Sequence, residues 1–468
     1  MDATDQSPGS AFTPEERRGV SGLIALLSLR MLGFYLVLPI LTPYASSLKN
    51  PTPVLVGLSV AIYGLTQTLF QVPFGAWSDR FGRKPLLTIG LLLFAAGSAV
   101  CAMADTTLLL VVGRLIQGMG AIASVVVAMA ADLTRDHVRA RAMAMVGVAI
   151  GGSFAIGLLF GPTAAQHIGV PNLFWLTTAL TVLGAGALWV IIPTPPRLSH
   201  HDDAEWSPEH LYEVVRNRQL LRLDAGIFNL HVGLTAIFVT MPLFLEQHLD
   251  PGQMWRVFLP GLVIGFAVML LGPRIADRPG GGKWAAILGQ GVLVAALVTL
   301  ALATPATVEH ERMGLGAVIA GLFLFIIAFA LLEPLFPALL TRLCQQTNRG
   351  TAAGIFNMSQ FSGAFVGGLI SGLFLERNLE ALYWILAACG FLWLVSAFRL
   401  EDPASLRVLE LTIGDAEPER RKRLVSGLLK VGGVEDVAWE KAEGRILIRY
   451  AAERIAEPHL RAEAERLT

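Results

Sequence analysis

Apolar runs of about twenty residues recur along most of the chain, and charges gather in the short segments between them. A helix of roughly that length crosses the hydrocarbon core, where lipid offers its backbone no hydrogen-bond partner. The pattern predicts a bundle of membrane-spanning helices. The runs lie near 20–46, 54–77, 85–104, 107–132, 141–166 and 172–193, then near 221–247, 254–275, 284–304, 313–341, 350–374 and 379–399, so about twelve spans are expected. Only 15% of residues are charged, where a soluble chain carries about a quarter. Formal net charge is zero, which leaves no basic field for nucleic acid. The run after Arg17 and Arg18 is too long for a signal peptide and reads as a first span. Cys101, Cys344 and Cys389 form neither a disulfide framework nor a ligand spacing, so no metal or cofactor is expected.

The connections alternate in charge. One side collects Arg80, Arg83, Lys84, Arg135, Arg139, Arg141, Arg197, Arg216, Arg218, Arg274, Arg278, Lys283, Arg342 and Arg349, and the other has only Lys49, Arg256, Arg312 and Arg377. The positive-inside rule places both termini and the arginine-rich loops in the cytoplasm. The expected divisions are a tail at 1–19, a six-helix bundle at 20–193, a linker at 194–219, a second bundle at 220–400 and a soluble domain at 404–468. Ser207-Pro208-Glu209 begins an amphipathic stretch through Arg218 that suits the membrane surface. The halves echo each other: Asp79-Arg80-Phe81-Gly82 returns as Asp277-Arg278-Pro279-Gly280, and Arg139–Gly157 more weakly as Arg349–Gly367. Parallel repeats of six spans place a substrate site between the halves.

The second span ends in Gly75-Ala76-Trp77-Ser78-Asp79-Arg80-Phe81-Gly82-Arg83-Lys84. Gly75 permits close helix approach, Asp79 sits at a helix end, Gly82 permits a tight turn, and Arg83 and Lys84 hold the loop on its side and can pair with acids. The stretch resembles the signature loop of the major facilitator superfamily, Gly-x-x-x-Asp-Arg-x-Gly-Arg-Lys, at every defined position. The resemblance implies a two-bundle transporter whose loop latches the halves in one conformation, joined by a carboxylate at the end of the fourth span, here Asp132. The expectation is a latch of Asp79, Arg83 and Asp132 that breaks when the cytoplasmic side opens.

Ionisable groups at membrane depth are functional candidates. Arg114, in Gly113-Arg114-Leu115-Ile116-Gln117-Gly118, lies about 10 Å into the fourth span. This resembles the family's second motif, which implies a part in proton coupling for Arg114 and Gln117; a structural pair is the alternative. Arg30 lies in the first span beside Phe34 and Tyr35, and Tyr63, Gln67 and Gln71 share one face of the second. Asn229 and His231 fall in the seventh span, Asn357 and Gln360 in the eleventh, as cavity groups or interhelical contacts. Glu333, before Pro334, is the clearest buried acid: it either carries protons or stays ionised beside Arg30 or Arg114. Gly157-x-x-x-Gly161-Pro162 resembles the core of the antiporter motif, although Thr163-Ala164-Ala165 replaces the expected glycines.

After Pro403 the composition turns soluble. Val408–Ile413, Val434–Glu440 and Arg445–Tyr450 alternate like strands, and 419–429 and 457–466 read as helices. This β-α-β-β-α order predicts a ferredoxin-like domain, and Gly432-Gly433-Val434 resembles a turn of heavy-metal-associated domains. Their CxxC is replaced by Gly414-Asp415-Ala416-Glu417-Pro418, so soft-metal binding is not expected. Arg420, Arg421, Lys422 and Arg423 either meet anionic membrane lipids, at about 1 kcal/mol each, or form a solvated face. His200, His201, Asp202 and Asp203 read as a polar loop. Together with Arg30-Met31-Leu32-Gly33, Ile62-Tyr63-Gly64-Leu65-Thr66-Gln67 and Leu331-Leu332-Glu333, the architecture resembles the YajR family of proton-driven drug antiporters. That implies a monomer in a bacterial cytoplasmic membrane, with protons and a small organic solute as partners. No nucleotide-binding loop is present, so ATP-driven pumping is not expected, nor is an enzyme. Proton symport, facilitated diffusion and a non-transporting sensor are the competing readings.

Overall fold

The computed structural model describes residues 12–194, 208–276, 281–304, 315–344, 349–401, 406–412, 418–440, 445–451 and 455–467. The helices begin where a side chain can serve their free N–H groups. Thr13 caps α1 (Pro14–Val37) in a capping box with Glu16, Thr52 caps α3 (Pro53–Phe81), and Thr106 caps α5 (Thr107–Met119). Two crossings are broken. A single 3-10 turn, Leu38–Ile40, joins α1 to α2 (Leu41–Ser47), and Pro39 within it has no N–H to continue the ladder. Gly120–Ile122 separates α5 from α6 (Ala123–Asp132). The first half is completed by α4 (Arg83–Ala102), α7 (Asp136–Ile168) and α8 (Val170–Ile191).

A short helix, α9 (Pro208–Arg216), forms where the amphipathic stretch is expected. The second half follows as α10 (Arg218–Glu246), α11 (Trp255–Ala276), α12 (Gly281–Ala303), α13 (Leu315–Leu343), α14 (Arg349–Phe374) and α15 (Leu379–Ala397). Ten of the described segments are long and apolar enough to cross a membrane. The expected twelve is therefore met only in part by that measure. The apolar part described for α11 is the shorter Trp255–Leu270, and α14 carries Asn357, Ser359, Gln360, Ser362 and Ser371. The second span runs four residues beyond the expected 77, which brings Asp79 and Arg80 into α3.

The halves repeat in their packing. α1 packs on α7 as α10 does on α14, α3 on α5 as α11 on α13, and α4 on α8 as α12 on α15. Glycines set these approaches. A Cβ on Gly157 would lie 2.5 Å from that of Tyr35, and one on Gly161 would overlap the Leu36 carbonyl. Gly363 and Gly367 face the carbonyls of Phe228 and Val232 in the same way. Small residues four apart let two helices touch backbone to backbone.

Between the halves, the close contacts lie away from the Gly75–Lys84 loop. A Cβ on Gly372 would lie 2.7 Å from the Pro53 carbonyl oxygen and one on Gly64 2.8 Å from that of Phe361, while Gly57 abuts Gly368. The hydroxyls of Thr68 and Ser362 are 3.5 Å apart, and Thr42 donates to the Phe238 carbonyl at 3.2 Å. Nearer the loop, Gly75 meets only Ser124 within 4 Å, and Gly151, Gly152 and Gly354 meet nothing beyond their own helices. Among the described residues, the halves diverge toward the arginine-rich end.

The C-terminal elements are β1 (Leu406–Thr412), α16 (Pro418–Leu428), β2 (Val434–Glu440), β3 (Arg445–Ala451) and α17 (Glu457–Leu467). They form an antiparallel sheet in the order β1-β3-β2, with Leu409 and Val437 both opposite Ile448. Those three, with Leu428, Ile446, Tyr450 and Leu460, make a small apolar core. The strand end at Ile413, the repeat at 277–280 and the polar group His200, His201, Asp202 and Asp203 lie outside the described residues.

Candidate functional site

At the arginine-rich end, Gly82 turns the chain between α3 and α4 at a φ of +96°, where a side chain would be strained. The turn places Arg83 at the start of α4, facing two acids. Its Nε donates to the Asp132 carboxylate at 2.9 Å, its Nη1 donates to the Ser78 hydroxyl at 2.6 Å, and it pairs with Asp79 one turn back on α3. Lys84 lies 5.5 Å over the Trp189 ring, and Arg80 lies 5.4 Å over that of Phe81. Asp79, Arg83 and Asp132 thus meet, but all three belong to the first half. The triad expected from the motif is therefore an arrangement within one half.

In the middle of the first half, two buried arginines are held by neutral groups. Arg30 Nη2 donates to the Tyr63 hydroxyl at 3.0 Å and to the Gly120 carbonyl at 2.9 Å. The latter is exposed by the α5–α6 break, so a guanidinium fills the gap in the helical ladder. Arg114 Nε donates to the Ser59 carbonyl at 3.2 Å and Nη1 to Gln117 at 2.7 Å. Gln117 donates in turn to Ser98 at 2.6 Å, across an approach of α4 and α5 that Gly97 permits. Aromatic faces supply further contact: Arg30 lies 4.9 Å from the Phe94 ring, and Arg114 lies 4.9 Å and 5.0 Å from those of Phe34 and Tyr63. Gln67 donates to the Tyr63 hydroxyl at 3.1 Å. Among the described residues, Arg30 Nε and Arg114 Nη2 are buried without a hydrogen-bond partner.

The second half presents the acid. Gln360 donates to Glu333 Oε1 at 3.0 Å, and its amide also lies 2.9 Å from His231 Nε2. His231 Nδ1 is 3.2 Å from the Ile227 carbonyl. A carbonyl only accepts, so Nδ1 carries the proton and Nε2 is the acceptor for Gln360. Glu333 Oε2 has no hydrogen bond and lies 3.8 Å from His231 Nε2, with the Glu333 side chain 32% exposed. Glu333 pairs with neither Arg30 nor Arg114; the expected alternative of an ion pair within this cluster is replaced by the Gln360 contact. Tyr35 lies on α1 against Gly157 of α7. Its ring abuts Phe34 and Phe154 at 5.2 Å and 5.1 Å, and Phe154 continues to Phe238 of the second half at 6.2 Å.

The remaining expected groups lie apart. Asn229 faces Gln290 at 3.4 Å, on the side of α10 toward α12 and α15, and so makes an interhelical contact. Asn357 is half-buried. Pro162 lies inside α7 beyond the Gly157–Gly161 contact. Sequence reasoning missed Ser98, Phe94 and the Gly120 carbonyl, and it missed the pair of Glu16 with Arg135 at 2.8 Å.

Two repeated bundles, with polar groups where they meet and an ion-paired loop at one end, define a multi-pass membrane transporter. The Major Facilitator Superfamily profile matches residues 23–312 and 290–439. The inner membrane transport protein YajR of Escherichia coli K12 is 34% identical over 459 residues, 94% of this chain and 98% of that one. The chain belongs to the major facilitator superfamily and is YajR-like. Multidrug resistance protein 1 of Bacillus subtilis is 32% identical over 166 residues, 35% of this chain and 42% of its own. The xylose transporter XylE from E. coli, in an inward open conformation, shares the fold with a TM-score of 0.64 at 17% identity, over 81% of this chain and 95% of that one.

Proposed function

We propose that the protein is a proton-coupled antiporter that exports a small organic solute from a bacterium by alternating access. The observation that carries this reading is Glu333, a carboxyl at membrane depth whose side chain is 32% exposed, held on one oxygen by Gln360 and facing His231 with the other, which is buried. A proton on Glu333 or His231 changes how many donors the group presents, so protonation and solute binding can compete for one site. Arg114 and Gln117 are the fixed polar partners across the cleft. The arginine-rich end is cytoplasmic by the positive-inside rule, which makes this arrangement the inward-facing one. Asp79, Arg83 and Asp132 brace α3, α4 and α6 as one unit, leaving Gly75 to receive the second half when that end closes. The C-terminal strands and helices, in the order β1-β3-β2, support a ferredoxin-like cytoplasmic module of regulatory purpose.

The test uses proteoliposomes with a trapped pH dye and solutes selected by thermal stabilisation of the purified protein. Solute movement is expected to drive protons the opposite way. Glu333→Gln is expected to retain solute–solute exchange while losing proton movement. Unchanged coupling in that variant removes Glu333 from the mechanism; protons moving with the solute identify a symporter, and no counterflow at all identifies a sensor.

A further inference from the structure

The charge balance across the cleft is uneven. Arg30 and Arg114 are 2% and 1% exposed, and the groups that hold them are a phenol, an amide and two backbone carbonyls, all neutral. The acids of the described first half, Glu15, Glu16, Asp79, Asp105, Asp132 and Asp136, sit at helix ends or in a loop. Two guanidiniums therefore share the middle of this half with no carboxylate, and each retains a buried N–H that donates to nothing. Water can satisfy a donor but does not neutralise the charge, and buried charge without a counterion is costly.

The polar edge is also directional. Tyr63 receives hydrogen bonds from both Arg30 and Gln67 through its single oxygen, so its own O–H is left to donate to a third group. Among the described residues, Arg30 Nη1 donates to no protein group either. Beside this donor pair runs the aromatic series of Phe34, Tyr35, Phe154 and Phe238, which crosses from one half to the other. A donor-rich, acid-free pole next to aromatic faces fits a planar apolar body that ends in a negative charge.

We propose that the solute is an aromatic carboxylate whose anionic group docks on Tyr63 and Arg30, with its rings among Phe34, Tyr35, Phe154 and Phe238. This rests on the reading of the cleft as the transport site, and it names the charge of what the cleft takes. Glu333 on the opposite half then acts as the competing negative charge. Removing that charge strengthens binding of the solute.

The test is equilibrium binding in detergent without any gradient, so it is independent of proton coupling. Arene carboxylates of one to three rings are compared with their neutral amides and with the matching arylmethyl ammonium ions, using tryptophan quenching of the full chain. The carboxylates are expected to bind about tenfold or more tightly than the amides, as for a hydrogen bond to a charged group. Tyr63→Phe and Arg30→Gln are expected to reduce that preference toward unity, Arg30→Lys to retain most of it, and Glu333→Gln to raise carboxylate affinity. Tyr63→Phe and Arg30→Lys keep the test alive where Arg30→Gln does not fold. Equal or tighter binding of amides or cations overturns the proposal, as does a carboxylate preference that survives Arg30→Gln and Tyr63→Phe, or failure of every carboxylate to bind. Loss of proton coupling in Glu333→Gln with no carboxylate preference would leave the antiport reading standing and this one fallen.

Discussion

Arg83 and Asp132 are sealed from solvent, with side chains 5% and 0% exposed, whereas that of Asp79 is 47% exposed. Removing the cation from a sealed pair takes a counter-charge from the buried carboxylate, a change that costs up to roughly 3–5 kcal/mol. Neutralising the half-exposed partner forfeits only a surface pair, of about 0–1 kcal/mol. Arg83→Ala is therefore expected to lower the melting temperature in detergent by several degrees, while Asp79→Asn lowers it little. Equal losses in the two variants would mean that Asp132 is not the principal partner. Asp79 and Arg83 were legible because the loop motif specifies both within ten positions, and Asp132 was expected only through the family resemblance. The pair of Glu16 and Arg135 was not, since its members lie 119 residues apart and only the fold brings them together.

At the scale of the helix, contact decides which glycines matter. Gly161 sits against the Leu36 carbonyl, while Gly151, on the same helix, has open space around its Cβ position. Gly161→Ala is expected to destabilise by about 1–3 kcal/mol, as overpacking does, and Gly151→Ala to be neutral or slightly stabilising through helix propensity. Thermal unfolding of the two purified variants separates them; a loss at Gly151 comparable to that at Gly161 would contradict this arrangement of α1 and α7. The Gly157–Gly161 contact was readable from its spacing. Its counterpart at Gly363 and Gly367 was equally visible as two glycines four apart, but nothing local said which neighbour they would meet. The break at Gly120–Ile122 was hidden because the apolar run continues through it without interruption.

At the scale of the molecule, hydropathy and loop charge marked the crossings and the repeat, because both are set by the solvent around each segment. The sequence places Arg30 and Arg114 in the first half and Glu333 in the second, but the meeting of Glu333 with Gln360 and His231 was not legible, since it depends on three helices. Contacts between α3 and α14 hold the halves together away from the arginine-rich end. With Cys101, Cys344 and Cys389 replaced, a disulfide between Thr68→Cys and Ser362→Cys is expected to stop counterflow and its reduction to restore it. Full activity in the cross-linked protein would show that the α3–α14 contact does not open during transport. The broken fourth crossing carries a further mechanical meaning. Helix α6 is ten residues, a rod of about 15 Å, with Asp132 fastened to Arg83 at one end. At the other end lies the Gly120 carbonyl, fastened to Arg30. One short strut thus joins the Arg30 hydrogen bond to the Arg83–Asp132 pair, independently of any full-length helix.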